Sequence, residues 1–286
     1  YRKLKKFLLE EQIDLINPHR SEGFPLFVFT ARASRTFHLK SPIPVIRTRG
    51  TTRPLLQHWL NRKMHTDWTD SYITAGEIVA ERLLNAVSIS PEKLKTIYYP
   101  VDCPELPLHP PIDYRNEFEI PQKAKVLAVV GRIRPVKGQR ILLHCLSQLL
   151  ADFPDLVLLM PYRDTVKNEP EMQALHNDIR RLKLKAHVRL ITEREDIRQL
   201  MEFADAGVVS SVESEVICRV AVEFFSVATP VVAFPTGCLP EIVQHEKNGM
   251  LAKLKTAEAL TDVLRKILSN PKLCNRLGRG ARRDAE

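Results

Sequence analysis

Short apolar runs alternate with helical patterns along almost the whole chain, and nothing else in the sequence constrains the fold as strongly. In the first half IDLIN (13–17), PVIRT (44–48), SYIT (71–74) and KTIYY (95–99) read as strands, because each is short and rich in β-branched or aromatic residues. Between them lie helical patterns at 2–12, with Leu4, Phe7 and Leu8 on one face, in an apolar segment ending at Arg35, around 55–64, and at 76–85. A proline- and acid-rich stretch, 100–121, has no sustained periodicity and reads as a linker. The alternation then restarts with KVLAVV (125–130), followed by helix 139–150, DLVLLM (155–160), a helix ending at Arg181, HVRLI (187–191), helix 196–203 and strand 206–210. A helix beginning near Ile217, a strand at 230–234 and terminal helices over 257–268 and 271–283 complete the series. Strands and helices in strict alternation specify parallel βαβ units. The expectation is an α/β chain of two Rossmann-like domains, parallel sheets flanked by helices, facing one another across a cleft. The boundaries are 1–100, a linker 101–122, and 123–286. Leu142, Cys145, Leu146 and Leu149 recur at helical spacing and read as ordinary core.

Composition enters where it excludes. The chain has 286 residues, 44% of them hydrophobic, which allows one large or two ordinary domains, each able to bury a real core. No run approaches the roughly 20 apolar residues of a membrane span and no signal-peptide pattern opens the chain. Cys103, Cys145, Cys218, Cys238 and Cys274 form no CxxC pair, which fits reduced thiols in a cytosol better than a disulfide framework or a zinc site. Neither HxxxH nor a DxD on an apolar strand occurs, so no metal cofactor is expected. A formal net charge of +9 favours polyanionic partners but does not choose among nucleic acid, anionic lipid and phosphorylated glycan.

Two stretches carry chemistry. SSVESEVICRVAVEFFSVATPVVAFPTGCLPE (210–241) follows an apolar strand and runs through a polar turn into a helix. In an open parallel sheet ligands sit at the carboxyl ends of strands, and the free amides of a following helix favour anions. Glu215 would stand at the mouth of such a crevice, while Glu223 lies among apolar neighbours, where a carboxylate needs a reason. GRIRPVKG (131–138) lies between the first strand and first helix of the second half, with Gly131 and Gly138 bracketing Arg132, Arg134 and Lys137. Glycine allows close backbone approach and the cations offset charge on a diphosphate. The segment is neither a Walker A loop nor GxGxxG, and alone it reads more often as a basic solvated loop.

Taken together, Ser211, Glu215, Glu223, Pro230, Val231, Val232, Gly237 and Glu241, with GR followed by KG about eighty residues earlier, resemble the retaining glycosyltransferases of the GT-B fold, family 4. LPEIV and NGMLA downstream extend the likeness over nearly all of 123–253, and IRTRGTTRP in the first half resembles bacterial envelope-sugar and lipopolysaccharide transferases. The resemblance implies a second domain that binds a nucleoside-diphosphate sugar. Glu223 would hold the ribose hydroxyls; Glu215, with the amides of Ile217, Cys218 and Arg219, would surround donor sugar and phosphate; Arg132 and Lys137, beside Gly131, would hold the diphosphate. It implies transfer of a hexose or related sugar, with retention, to a hydroxyl of a glycan or lipid-linked acceptor such as a lipopolysaccharide core. It further implies a cytoplasmic protein, peripheral at the inner face of the membrane, with no cofactor, no metal and no nucleic-acid partner. Gly50 stands where many relatives carry a histidine that contacts the donor sugar.

Other readings stay open. A sugar-nucleotide epimerase shares the architecture, and a non-enzymatic basic module for glycan or nucleic acid would explain the charge. His19, Arg20 and Glu22 follow the first strand and read either as a ligand contact or a surface turn. Arg47, Arg49 and Arg53 with Trp59 and Trp68 read as a phosphorylated-acceptor site or a solvated face with half-buried indoles. The 2–6 stretch would touch anionic lipid or simply face water. Relative to the family the first domain opens without its first strand, so a longer protein is expected.

Overall fold

In the computed structural model residues 1–33, 43–162, 169–192, 194–213 and 215–286 are described. The chain divides into two compact units, Tyr1–Tyr99 and Pro100–Glu286.

Unit 1 contains helices α1 (Arg2–Glu10), α2 (Phe24–Ala33), α3 (Trp59–Thr66) and α4 (Glu77–Ala86) and strands β1 (Ile46–Arg49), β2 (Ser71–Thr74) and β3 (Leu94–Thr96). The strands pair in parallel in the order β1-β2-β3. Leu8, Ile16, Phe24, Val28, Val45 and Met64 form a buried cluster under them. The continuation of the second helix to Arg35 lies outside the described residues.

The run IDLIN, expected as a strand, is held by a single parallel bridge from Ile16 to Val45. Its ladder stops there because the amide of Thr48 donates to the side-chain Oδ1 of Asn17 (3.2 Å), and Pro18 follows, with no amide of its own. KTIYY is likewise shorter than expected. β2 ends at Thr74, whose carbonyl takes the amide of Ile97 (2.9 Å), and Ile97, Tyr98 and Tyr99 turn outward, each exposed.

Unit 2 opens with a short helix, α5 (Tyr114–Glu117), inside the stretch expected to be irregular. Asp113 caps it through the amide of Asn116 (3.1 Å), and buried Tyr114 donates to Asp196 Oδ2 (2.7 Å). The end of the expected linker therefore packs on unit 2. There follow β4 (Val126–Ala128), α6 (Gln139–Leu149), β5 (Val157–Pro161), α7 (Pro170–Arg181), β6 (Val188–Ile191), α8 (Ile197–Phe203), β7 (Ala206–Val209), α9 (Arg219–Ser226), β8 (Val231–Ala233), α10 (Leu239–Ile242), β9 (Gly249–Leu251), α11 (Ala257–Leu268) and α12 (Pro271–Ala285). All six strands are parallel, in the order β6-β5-β4-β7-β8-β9. β4, β5, β7 and β8 are buried along their whole length, as apolar strands covered on both faces must be. The stripe Leu142, Cys145, Leu146 and Leu149 of α6 is fully buried, each leucine contributing about 1.5–3 kcal/mol of apolar burial.

β9 and α10 escaped the periodicity argument, being three and four residues long. The order reverses between β4 and β7: successive strands are laid outward on one side of β4, and the chain then returns to its other side. The loops that leave β4 and β7 are thereby neighbours at the carboxyl end of the sheet, the place where such sheets bind ligands.

Candidate functional site

The loop after β4 is GRIRPVKG, and the loop after β7 begins SSVE. Backbone bonds stitch the two together: the amide of Val212 donates to the carbonyl of Val136 (3.0 Å), and Ser210 Oγ donates to the carbonyl of Lys137 (2.9 Å). Gly138 stands at φ 67° and packs so tightly on the Ser210 carbonyl that any Cβ would collide with it. Gly138 also opens α6, so the first-turn amides of that helix, which lack intrahelical acceptors, face the junction.

At this junction Lys137 Nζ pairs with Glu215 Oε1, and Ser211 Oγ donates to the same oxygen (2.5 Å). The Glu215 side chain is only 10% exposed and that of Lys137 26%, so the pair is largely withdrawn from water and each charge depends on the other. A second loop locks Glu215 from behind. Its carbonyl accepts the amide of Cys238 (2.8 Å), and Gly237, at φ 58°, leaves no room there for a side chain. Two buried polar atoms close by, Gln139 Oε1 and Thr236 Oγ1, have no hydrogen-bond partner among the described residues. The amide nitrogen of the same Gln139 side chain donates to the Arg132 carbonyl (2.8 Å).

Of the residues singled out in the sequence, Lys137, Glu215 and Ser211 come into direct contact. Arg132 is exposed, and among the described residues its side chain is not paired with a carboxylate. Gly131 lies beside it, and a Cβ there would stand in open space. Glu223 is held by Arg219 on its own helix, Nε to Oε1 2.6 Å, with the Glu223 side chain 17% exposed.

The helix expected from Ile217 begins two residues later, at Arg219, because Cys218 takes a left-handed conformation (φ 50°) as its N-cap. Ile217 is therefore an exposed loop residue, and Glu223 sits one turn into the helix. What turns the chain at Cys218 was not visible in the sequence: its sulfur lies 2.6 Å from that of Cys238, both buried and both free thiols. The hydrogen bond with Cys238, then burial, pushes the Cys218 thiol far up, which leaves it an inert packing group. Gly138 and Gly237 were legible as motif letters, but their task of letting two backbones touch was not.

In unit 1 the basic patch departs from a solvated face. Arg47 and Arg49 are 2% and 5% exposed, whereas Trp59 is 74% exposed and Trp68 packs edge-on to Phe29. His19, Arg20 and Glu22 line one wall of a groove of about 670 Å³ with Leu4, Phe7 and Phe27. Among the described residues no group of three or more His, Cys, Asp or Glu is placed to hold a metal ion, and no helix is long and apolar enough to cross a membrane.

Residues 112–284 match the family model described as glycosyl transferases group 1. A D-inositol 3-phosphate glycosyltransferase of Saccharomonospora viridis is 26% identical over 223 residues, covering 76% of this chain and 52% of that protein. The chain spans between 52 and 59% of the length of the first curated relatives it matches. Among solved structures, HepE of Anabaena in complex with UDP superposes with a TM-score of 0.83 at 20% identity, covering 99% of this chain and 76% of that one. A glycosyltransferase from Rickettsia africae gives 0.86 at 17% identity, with 99% and 74% covered. These likenesses show the fold, an α/β architecture of parallel sheets flanked by helices of the GT-B kind.

Proposed function

Because the chain belongs to the glycosyl transferases group 1 family, we propose that unit 2 binds a nucleoside-diphosphate sugar and that the whole protein transfers the sugar, with retention, to a hydroxyl of an envelope glycan or lipopolysaccharide-core acceptor. The observation that carries this reading is the Lys137–Glu215 pair at the strand-order reversal, where the two motif loops are sewn together. UDP and UDP-glucose in the structures of HepE support a uridine nucleotide as the first candidate.

Arg132, Lys137 and the first-turn amides of α6 and α9 would offset the charge that gathers on the leaving diphosphate. Glu223 would accept hydrogen bonds from two adjacent ribose hydroxyls, and Glu215 from the donor sugar, each turning from its present partner toward the ligand. A double displacement would need two carboxylates free to act about 5 Å apart, and in this reading both glutamates are taken up in holding the donor. Deprotonation of the acceptor hydroxyl by the departing phosphate, on the face from which the sugar leaves, asks only for positioning and charge. With cations and amides in that role, the proposed reaction uses no metal.

Calorimetric titration of UDP and UDP-glucose tests the assignment. Glu223→Ala and Lys137→Ala should each bind UDP about 10- to 100-fold more weakly, the loss of one charge-assisted hydrogen bond. Unaltered affinity in both variants overturns it. Retention is read from the anomeric configuration of the product, and metal independence from activity that survives EDTA.

A further inference from the structure

A second basic site lies wholly in unit 1. Arg47 and Arg49 occupy alternate positions of β1 and point to its buried face. Buried charges are ordinarily paired with a charge of opposite sign, yet among the described residues neither guanidinium has a carboxylate within ion-pair distance.

Arg47 is answered by neutral groups. It donates to the carbonyl of Arg20 (2.7 Å) and to Ser21 Oγ (3.2 Å), and lies over the ring of Phe24 at 4.4 Å, with its Nε left unpartnered. The side chain of Arg49, the last residue of β1, makes one hydrogen bond among the described residues, to the carbonyl of Arg53. Burial, followed for Arg47 by its neighbour Arg49, holds both below the ordinary arginine value, Arg47 at about 10.

Arg49 opens into a pocket of about 280 Å³ at the carboxyl end of its strand. The walls carry two more guanidiniums, Arg53 from the loop and Arg82 from α4, with Thr52, Gln57 and Asn85 as neutral polar groups and no Asp or Glu. The loop draws the cations together, since Arg82 reaches the carbonyl of Thr52 (3.4 Å) just as Arg49 reaches that of Arg53. Three guanidiniums thus line one small hollow with no lining acid, and a phosphate dianion supplies the paired oxygen acceptors that arginine fits best.

We propose that Arg49, Arg53 and Arg82 form a phosphomonoester pocket that holds the phosphate of a phosphorylated sugar acceptor. The binding stands on unit 1 alone, and only its use as an acceptor subsite rests on the glycosyl-transfer reading. The volume suits a phosphate and part of one sugar ring rather than a nucleotide.

The test is thermal protection and calorimetry with glucose 6-phosphate, inorganic phosphate and glucose at constant ionic strength. Arg53→Gln, Arg82→Gln and the double variant alter exposed side chains, so the fold should survive. Arg62→Gln, also exposed on unit 1, controls for general charge, and Lys137→Ala reports binding in unit 2. Glucose 6-phosphate and phosphate should protect and glucose should not. Each single variant should weaken binding about 3- to 10-fold, as expected for loss of one exposed charge-assisted contact, and the double variant should abolish it. Arg62→Gln and Lys137→Ala should leave it unchanged.

No protection of the unaltered chain overturns the proposal, as does equal loss in Arg62→Gln, or loss in Lys137→Ala alone. Vesicles of phosphatidylcholine and phosphatidic acid separate the lipid source: arginine-dependent cosedimentation without glucose 6-phosphate binding overturns the sugar assignment. A chain that fails to bind UDP but keeps arginine-dependent sugar-phosphate binding sinks the donor reading and upholds this pocket.

Discussion

Each unit places basic side chains at or just beyond the end of its first parallel strand, and the two differ in what answers the charge. In unit 2 Lys137 meets Glu215, brought from 78 residues further along. In unit 1 Arg47 and Arg49 meet carbonyls, a hydroxyl and an aromatic face, with no carboxylate in ion-pair range among the described residues. A cation paired within the chain is held in place and must exchange partners to bind a ligand. A buried cation without a counter-charge weakens its own unit until an anion arrives. The first arrangement favours order in the empty site; the second couples ligand to stability.

The largest way to break this contrast is to dismantle the loop junction. Gly237→Val forces a β-branched residue to φ 58° against the Glu215 carbonyl. Strain and overpacking together should cost about 3–5 kcal/mol, seen as a fall of about 10 °C in the melting of unit 2, with melting of unit 1 unmoved.

Next is acid sensitivity, which should belong to unit 1. Burial, then Arg49 and Arg47, lower His65 from its ordinary 6.5 to about 4. Above pH 6.5 neither state binds the proton and nothing changes. As the pH falls from 6.5 toward 4 the unfolded chain takes up a proton that the folded unit refuses, so stability is lost through that window, by about 3 kcal/mol in full. Urea unfolding of unit 1 at several pH values measures it, and His65→Phe should flatten the slope. Phosphate bound beside Arg49 should raise the His65 titration midpoint, visible in its ring NMR signals.

Lys137→Ala should do more than weaken nucleotide binding. It leaves the Glu215 carboxylate buried with only Ser211 for company, at a cost of about 1–3 kcal/mol, so the unliganded protein should melt lower. Lys137→Ala with Glu215→Ala should recover much of that loss in a double-mutant cycle. The smallest effect is Lys6→Ala, which removes an exposed i,i+4 contact to Glu10 worth about 0.3–0.5 kcal/mol and should leave unfolding almost unchanged.

Much of this was legible before any coordinates. The helix at 257–268 is legible because twelve residues show its period and both ends are clear, and SYIT because its β-branched and aromatic residues stand between turn signals. Elements of three or four residues, β9 and α10, carry too few side chains to show a period. IDLIN misled because a strand needs a ladder as well as a pattern, and Asn17 and Pro18 end the ladder after one bridge. The site divides in the same way. Lys137, Glu215 and Ser211 were all marked by motif, whereas the contact of Cys218 with Cys238 and the left-handed turn it accompanies depend on two helix starts meeting in space.

By itself the sequence determined the class of fold and the residue types that stand in the two motif stretches, since periodicity and motif are local properties. Only the tertiary structure decided which charges are answered. IRTRG reads the same whether its arginines face water or core, and it is the packing of Phe24 and the Pro18 and Arg20 carbonyls over β1 that buries Arg47. Pairing of charges is a matter of distance, and the distance between Lys137 and Glu215 is set by the strand order β4-β7, which no local pattern encodes.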